Sequence, residues 1–185
     1  MKENSSIVNL TDGEFILIDG PMFAGKSKTL MDLFYNKGIN FDAFSSSLDT
    51  RSKEIISRDY PNKTIPCKKI SNPMDITKSD SNIVVVDEFQ FMGPVELLID
   101  AVKELKKQKK TLVMAGLDLL ANGEEWKNYT ALKKLCDKEI KLKARCSVCN
   151  KPAGYTKMIS GDSSKSIQIE SKEVKYEPRC QEHFR

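Results

Sequence analysis

The chain has 185 residues, 39% of them hydrophobic and 30% charged, with a formal net charge of +4. Such a length suits one domain, or one domain with a small satellite, and the composition is that of a globular protein rather than a disordered one. No apolar run approaches the ~20 residues that span a bilayer, and so mild a charge argues against the concentrated basic face of a nucleic-acid binder.

The first residues, Met1 to Ser6, carry no apolar stretch of the kind a secretory leader needs, so a cytoplasmic setting and no membrane partner are expected. Residues 15–19, Phe-Ile-Leu-Ile-Asp, read as a buried strand. Gly20, Pro21, Met22, Phe23, Ala24, Gly25, Lys26 and Ser27 follow as a full G-x-x-x-x-G-K-S phosphate loop. Gly20 and Gly25 let the backbone curl so that successive N–H groups point inward. Lys26 reaches the β and γ phosphates, Ser27 can ligate Mg²⁺, and the start of the following helix adds a favourable dipole. That helix is expected from Lys26 to Asn36, with Leu30, Leu33 and Phe34 on one face. The strand–loop–helix setting makes a nucleotide such as ATP the expected ligand.

Further strands are predicted at 41–44, 83–86 and 111–115, and helices at 94–109 and 129–138. Pro94 suits a first helical turn, while Val95, Leu98, Val102 and Leu105 recur on one face. Alternating strands and helices imply an α/β fold with a P-loop NTPase-type, mostly parallel sheet and ligands at the carboxyl ends of its strands. The run Ile83–Val86 lacks polar alternation, as a strand buried on both faces would. It ends in Asp87 and Glu88. A strand-end aspartate beside the loop strand holds Mg²⁺ in phosphoryl-transfer sites, which points to Asp87; Glu88 then faces the cleft as a proton acceptor. The basic run Lys103–Lys110 reads as a solvated helix end whose cations complement the helix dipole.

The texture changes near Lys141. Residues 1–140 are read as a nucleotide-binding α/β domain and 141–185 as a small zinc-binding lid domain. Cys146-x-x-Cys149 and Cys180-x-x-His183 each have the gap that lets two side chains bind one ion. Together they complete a closed Cys₃His set, which favours structural Zn²⁺. Unrelated free thiols, or a redox-active C-x-x-C, are the other readings of the same residues. Cys67 and Cys136 are expected to be ordinary buried or half-buried thiols. The polar stretch from Gly161 to Glu177, bracketed by the two pairs, is expected to be a long loop able to act as a lid.

The phosphate loop, Asp87-Glu88-Phe89-Gln90-Phe91, Gly116-Leu117-Asp118, Lys141-Leu142-Lys143-Ala144-Arg145-Cys146 and the two Cys/His pairs occur in this order. The chain thereby closely resembles the zinc-containing thymidine kinase family, from about Gly13 to His183. The resemblance implies ATP-dependent phosphorylation of the 5′-hydroxyl of thymidine or deoxyuridine, with Glu88 as the base and Asp87 and Ser27 serving Mg²⁺. It implies catalytic roles for Lys26 and Arg51, a nucleotide-site role for Gln90, and a nucleobase pocket around Met22, Phe91, Leu117, Trp126 and Tyr176. A homotetramer is implied by the same resemblance. Departures fall mainly around the base: Ala121 stands where an aromatic is common, Trp126 replaces a phenylalanine, Gly123 replaces a frequent basic residue, and Ser171-Lys172 replaces a Gly-Gly pair. In the loop, Ala24 replaces a serine, a mild change where backbone amides do the cradling. A catalytically silent nucleotide-binding regulator, a zinc-ribbon nucleic-acid binder with ATPase activity, and a kinase with altered base specificity are the alternatives. The retained Glu88 argues against the first; the lack of a basic stripe or aromatic platform argues against the second.

Overall fold

The computed structural model describes residues 10–34, 39–50, 53–162, 167–169 and 171–185. In chain order these form β1 (Phe15–Asp19), α1 (Lys26–Phe34), β2 (Asp42–Ser46), β3 (Glu54–Ile56), β4 (Thr64–Pro66) and β5 (Lys68–Ile70). Then come β6 (Ile83–Asp87), α2 (Val95–Lys107), β7 (Thr111–Gly116), α3 (Lys127–Lys133) and β8 (Lys138–Lys141). The last part holds β9 (Ala144–Arg145), β10 (Pro152–Ala153), β11 (Tyr155–Ser160), β12 (Lys175–Arg179) and α4 (Gln181–Phe184).

Six strands build one parallel sheet in the order β5-β2-β6-β7-β1-β8. Strand alternation splits its apolar residues between two cores. Phe15, Leu17, Val84, Val86, Leu112 and Met114 meet α2 and α3 through Leu98, Ala101, Val102, Leu105, Tyr129 and Leu132. Ile16, Ile18, Val85, Val113 and Ala115 face the other way, against Leu30, Met31, Leu33 and Phe34 of α1 and Ile55 and Ile65 of the β3–β4 hairpin. Each fully buried Val, Leu, Ile, Phe or Met among them contributes about 1.5–3 kcal/mol. The central strands are therefore the rigid part of the molecule, and the loops at their carboxyl ends hang from fixed points.

Several expectations change in detail. The helix expected to end at Asn36 is described to Phe34, residues 35–38 lying outside the described set. The helix expected at 129–138 begins and ends earlier, and Lys138–Lys141 instead pairs in parallel with β1 as an edge strand. Its alternation is weak because only one residue in four packs inward, Ile140 against the α1-side core. The neighbour of β1 is β7, not β6, so Asp87 stands two strands from the phosphate loop rather than beside it. The stretch expected to be loop through Glu177 ends earlier, because β12 begins at Lys175 and pairs antiparallel with β11. In the basic run, Lys106 is more than a solvated cation: its ammonium reaches the Leu135 carbonyl at 2.8 Å and Asp137 at 2.9 Å.

Candidate active site

The phosphate loop turns at Gly20, whose φ is 144° and whose missing Cβ would lie 2.4 Å from the Leu142 carbonyl oxygen. Only glycine fits so close to the chain leaving β8. Gly25 (φ 85°) and Phe23 (φ 64°) also adopt positive φ, curling the segment between them. Lys26 extends its ammonium back along the loop to the carbonyls of Gly20 (3.0 Å) and Pro21 (2.7 Å). Burial pushes that ammonium below its ordinary value, while Glu88, Asp87, Asp118 and Asp19 act in the opposite sense.

Glu88 takes the left-handed conformation (φ 55°) at the end of β6 and starts the short 3₁₀ turn Phe89–Phe91. Its backbone N–H donates to Asp87 Oδ1 at 3.0 Å. Gln90, almost fully buried, donates from its amide to Glu88 Oε2 and accepts from the Leu117 N–H at 3.0 Å. This crossing over the end of β7 is possible because residue 116 is glycine: a Cβ there would lie 2.5 Å from Gln90 Oε1 and 2.7 Å from the Phe89 ring.

One cleft of about 530 Å³ joins these groups. Met22, Phe23, Ala24, Gly25, Lys26, Ser27, Asp87, Glu88 and Gln90 line it with Phe91, Leu117, Trp126 and Tyr176, so the expected phosphate-side and base-side residues share a single space. Phe91 and Trp126 meet edge-on, centroids 5.8 Å apart. Gly20 and Pro21 form the loop's base rather than the cleft wall. Arg51 lies outside the described residues.

Residues the sequence did not single out also line the cleft. Arg58 stacks its guanidinium 4.7 Å from the Phe23 ring, on a turn anchored when the Tyr60 hydroxyl bonds Asp32 of α1. Thr156 accepts the Met22 N–H at 2.9 Å, tying the phosphate loop to β11. Neither belongs to a motif with recognisable spacing, so only the fold could bring them in. Two departures find physical reasons. Gly123 has φ 90° and a Cβ there would press on the Phe184 ring at 3.0 Å, so a long basic side chain would be strained. Ser171 replaces glycine by hydrogen bonding: its hydroxyl accepts from the N–H groups of Glu173 (3.2 Å) and Val174 (3.1 Å). Tyr176 donates its hydroxyl to the Gln168 carbonyl at 2.9 Å, holding β12 against the segment 167–169 that roofs the cleft.

Cys146, Cys149, Cys180 and His183 place one ligand atom each within 4.8 Å of the others. Cys149 and Cys180 sulfurs are 3.6 Å apart, and His183 Nδ1 lies 3.2 Å from Cys180 Sγ and 3.8 Å from Cys146 Sγ. With metal–ligand bonds of about 2.0–2.3 Å, a tetrahedral zinc has edges of this size, so the donor set fits. Burial resists ionisation of Cys146, yet N–H groups of Cys180, Cys149 and Val148 bring its thiol down to about 6. Ala24 packs against the same cluster, so the metal region abuts the phosphate loop. Cys67 and Cys136 stand apart, half-buried, with thiols pushed up by burial.

A family model described as thymidine kinase matches residues 13–184. A thymidine kinase of Coprothermobacter proteolyticus is 31% identical over 182 residues, covering 93% of this chain and 90% of that one.

Proposed function

The chain belongs to the thymidine kinase family, and from that premise we propose that it transfers the γ-phosphate of ATP to the 5′-hydroxyl of thymidine or deoxyuridine. The observation that carries this reading is the single cleft in which Lys26, Ser27, Asp87 and Glu88 face Met22, Phe91, Leu117, Trp126 and Tyr176. A flat base slots among the apolar residues, and its sugar then brings the 5′-oxygen toward Glu88. Glu88 accepts the hydroxyl proton as the 5′-oxygen attacks the γ-phosphorus and the bond from that phosphorus to the β–γ bridging oxygen breaks, releasing ADP. Gln90 orients that carboxylate by bonding one of its oxygens. Lys26, with Arg51 by resemblance, balances charge on the transferring group.

The hard oxygens of Ser27 and Asp87 are the groups that would hold Mg²⁺. Bound there, the ion neutralises phosphate charge. Cys146, Cys149, Cys180 and His183 would hold a structural Zn²⁺ that fixes β11 and β12, and with them Thr156 and Tyr176. We read residues 1–140 as the catalytic domain and 141–185 as the metal-binding lid domain, working in the cytoplasm as a homotetramer.

The test is phosphate transfer from ATP·Mg²⁺ to thymidine, deoxyuridine, 5-substituted deoxyuridines, deoxycytidine and purine deoxynucleosides. Transfer to thymidine or deoxyuridine is the expected result. Transfer only to another base overturns the specificity, and no transfer at all, with ATP bound, overturns the activity.

A further inference from the structure

Beneath the phosphate loop lies a charge cluster that the chemistry above does not use. Asp19, the last residue of β1 and the one preceding Gly20, is fully buried, and Asp118, just beyond β7, is 2% exposed. Lys141, at the end of β8, reaches in from solvent and places its ammonium 2.7 Å from Asp19 Oδ1 and 3.0 Å from Asp118 Oδ2. It also donates to the Tyr129 hydroxyl at 3.0 Å and sits 4.9 Å from that ring's centroid. Tyr129 in turn donates to Glu139 and accepts from Lys133. Three strand ends, those of β1, β7 and β8, therefore meet on one cation. The chain leaving β8 is held there too, by the Leu142 N–H on the Asp19 carbonyl at 2.8 Å.

Resting on the phosphate-transfer reading, we propose that Lys141 is a positioning residue which neutralises Asp19 and Asp118 so that Lys26 and the loop amides remain available to the polyphosphate. Two buried carboxylates leave a site for an anion with the wrong sign of field. They also compete for the Lys26 ammonium, whose electrostatic neighbours are Glu88, Asp87, Asp118 and Asp19. Glu88 and Asp87 belong to the cleft; the other two are the pair that Lys141 covers. A carboxylate pair out of water with no cation is costly, and at short range its field reaches the loop with little screening. Burial pushes Asp19 up to about 6 even though Lys141 pulls it down, and Asp118 and Glu139 add to the upward push. Burial works against the Lys141 ammonium, yet its bonds to Asp19, Tyr129 and Asp118 hold it above its usual range.

The experiment is ATP binding by titration calorimetry on full-length wild type, Lys141→Met, Lys141→Arg, Asp118→Asn and the Lys141→Met/Asp118→Asn double variant, each with its Tm. The amide oxygen introduced by Asp118→Asn would still accept the Leu119 N–H that Asp118 Oδ1 accepts at 3.0 Å. The expected result is a loss of about tenfold in ATP affinity for Lys141→Met, most of it regained in the double variant, with Lys141→Arg within about threefold of wild type. Should the Met variant fail to fold, Lys141→Gln, which loses the charge but keeps hydrogen bonds, carries the same comparison. An unchanged affinity in the folded neutral variant, or a loss that Asp118→Asn does not restore, overturns the proposal, since a merely structural lysine would not be rescued by removing a negative charge. A wild-type protein that binds ATP yet phosphorylates no nucleoside sinks only the kinase reading; one that binds no ATP sinks both.

Discussion

The two ends of the cleft are built differently. The proposed phosphate end comes from one run, Gly20–Ser27, and one strand end, Asp87–Glu88, both anchored in a buried parallel sheet. The proposed base end draws Met22 from that same run but takes Phe91, Leu117, Ala121, Trp126, Ile167 and Tyr176 from separate segments, Tyr176 from the small β11–β12 ribbon. The tight backbone at Gly20 and the fixed charges leave the first end little room for change at those positions, although a side chain such as Ala24 can vary where amides do the cradling. Side chains borrowed from separate segments make the second adjustable, and the departures from the family pattern collect there.

That contrast is open to attack. The largest effect is expected at the phosphate end: Glu88→Gln should lower turnover by roughly a thousandfold for every nucleoside while leaving ATP affinity nearly intact. Steady-state rates near wild type would remove Glu88 from the reaction. Next, Gly20→Ala should cost about 3 kcal/mol in a urea titration, because the new methyl meets the Leu142 carbonyl at 2.4 Å on a backbone with φ 144°. A change well under about 1 kcal/mol would mean the loop is far more pliable than its anchoring suggests.

Chelating the proposed zinc should raise the nucleoside KM more than it weakens ATP binding, since β12 carries Tyr176 of the proposed base end. An equal loss of ATP affinity would break the contrast and show that Thr156 and Ala24 hand the zinc region's order on to the phosphate loop. At the base end, Ala121→Phe should reduce selectivity for bulky 5-substituted deoxyuridines over thymidine by about tenfold with kcat on thymidine little changed. Selectivity unmoved by the new ring would detach residue 121 from the base.

The smallest effect concerns pH. The folded pKa of Asp19, about 6, stands above the ordinary value of 3.8. Between those values the native state holds more protons than the unfolded chain, so this residue lowers stability as pH rises through that window, and the full penalty is in place above it. Asp19→Asn should therefore gain Tm over wild type progressively from about pH 4 to 6. A difference that shrinks over that range would mean Lys141 more than offsets the burial.

Legibility in the sequence followed the same divide. That Lys26, Ser27, Asp87 and Glu88 would meet in one cleft, and Cys146, Cys149, Cys180 and His183 in one cluster, was readable because each local run has fixed residue types at short spacing. The sheet class was readable from unbroken apolar runs such as Val84–Val86, buried on both faces. The edge strand Lys138–Lys141 was not, because three of its four residues remain accessible and hydrophobic alternation is nearly absent. The adjacency of β7 to β1 was invisible for a different reason: strand order depends on crossover packing, which leaves no local mark. Arg58, Thr156 and the Asp19–Lys141–Asp118 cluster join residues up to 134 positions apart, and no periodicity encodes such meetings.

The Gln90 amide has one further consequence. Its two ends are chemically distinct, and the Leu117 N–H can face only the oxygen, so the NH₂ group must point at Glu88. Anyone redesigning the pocket inherits a polarity at this position: glutamate, though the same size, has no donor to offer and would set two acceptors face to face. A change that displaces Leu117 turns this amide with it, so enlarging the pocket wall also re-aims Glu88, the proposed proton acceptor.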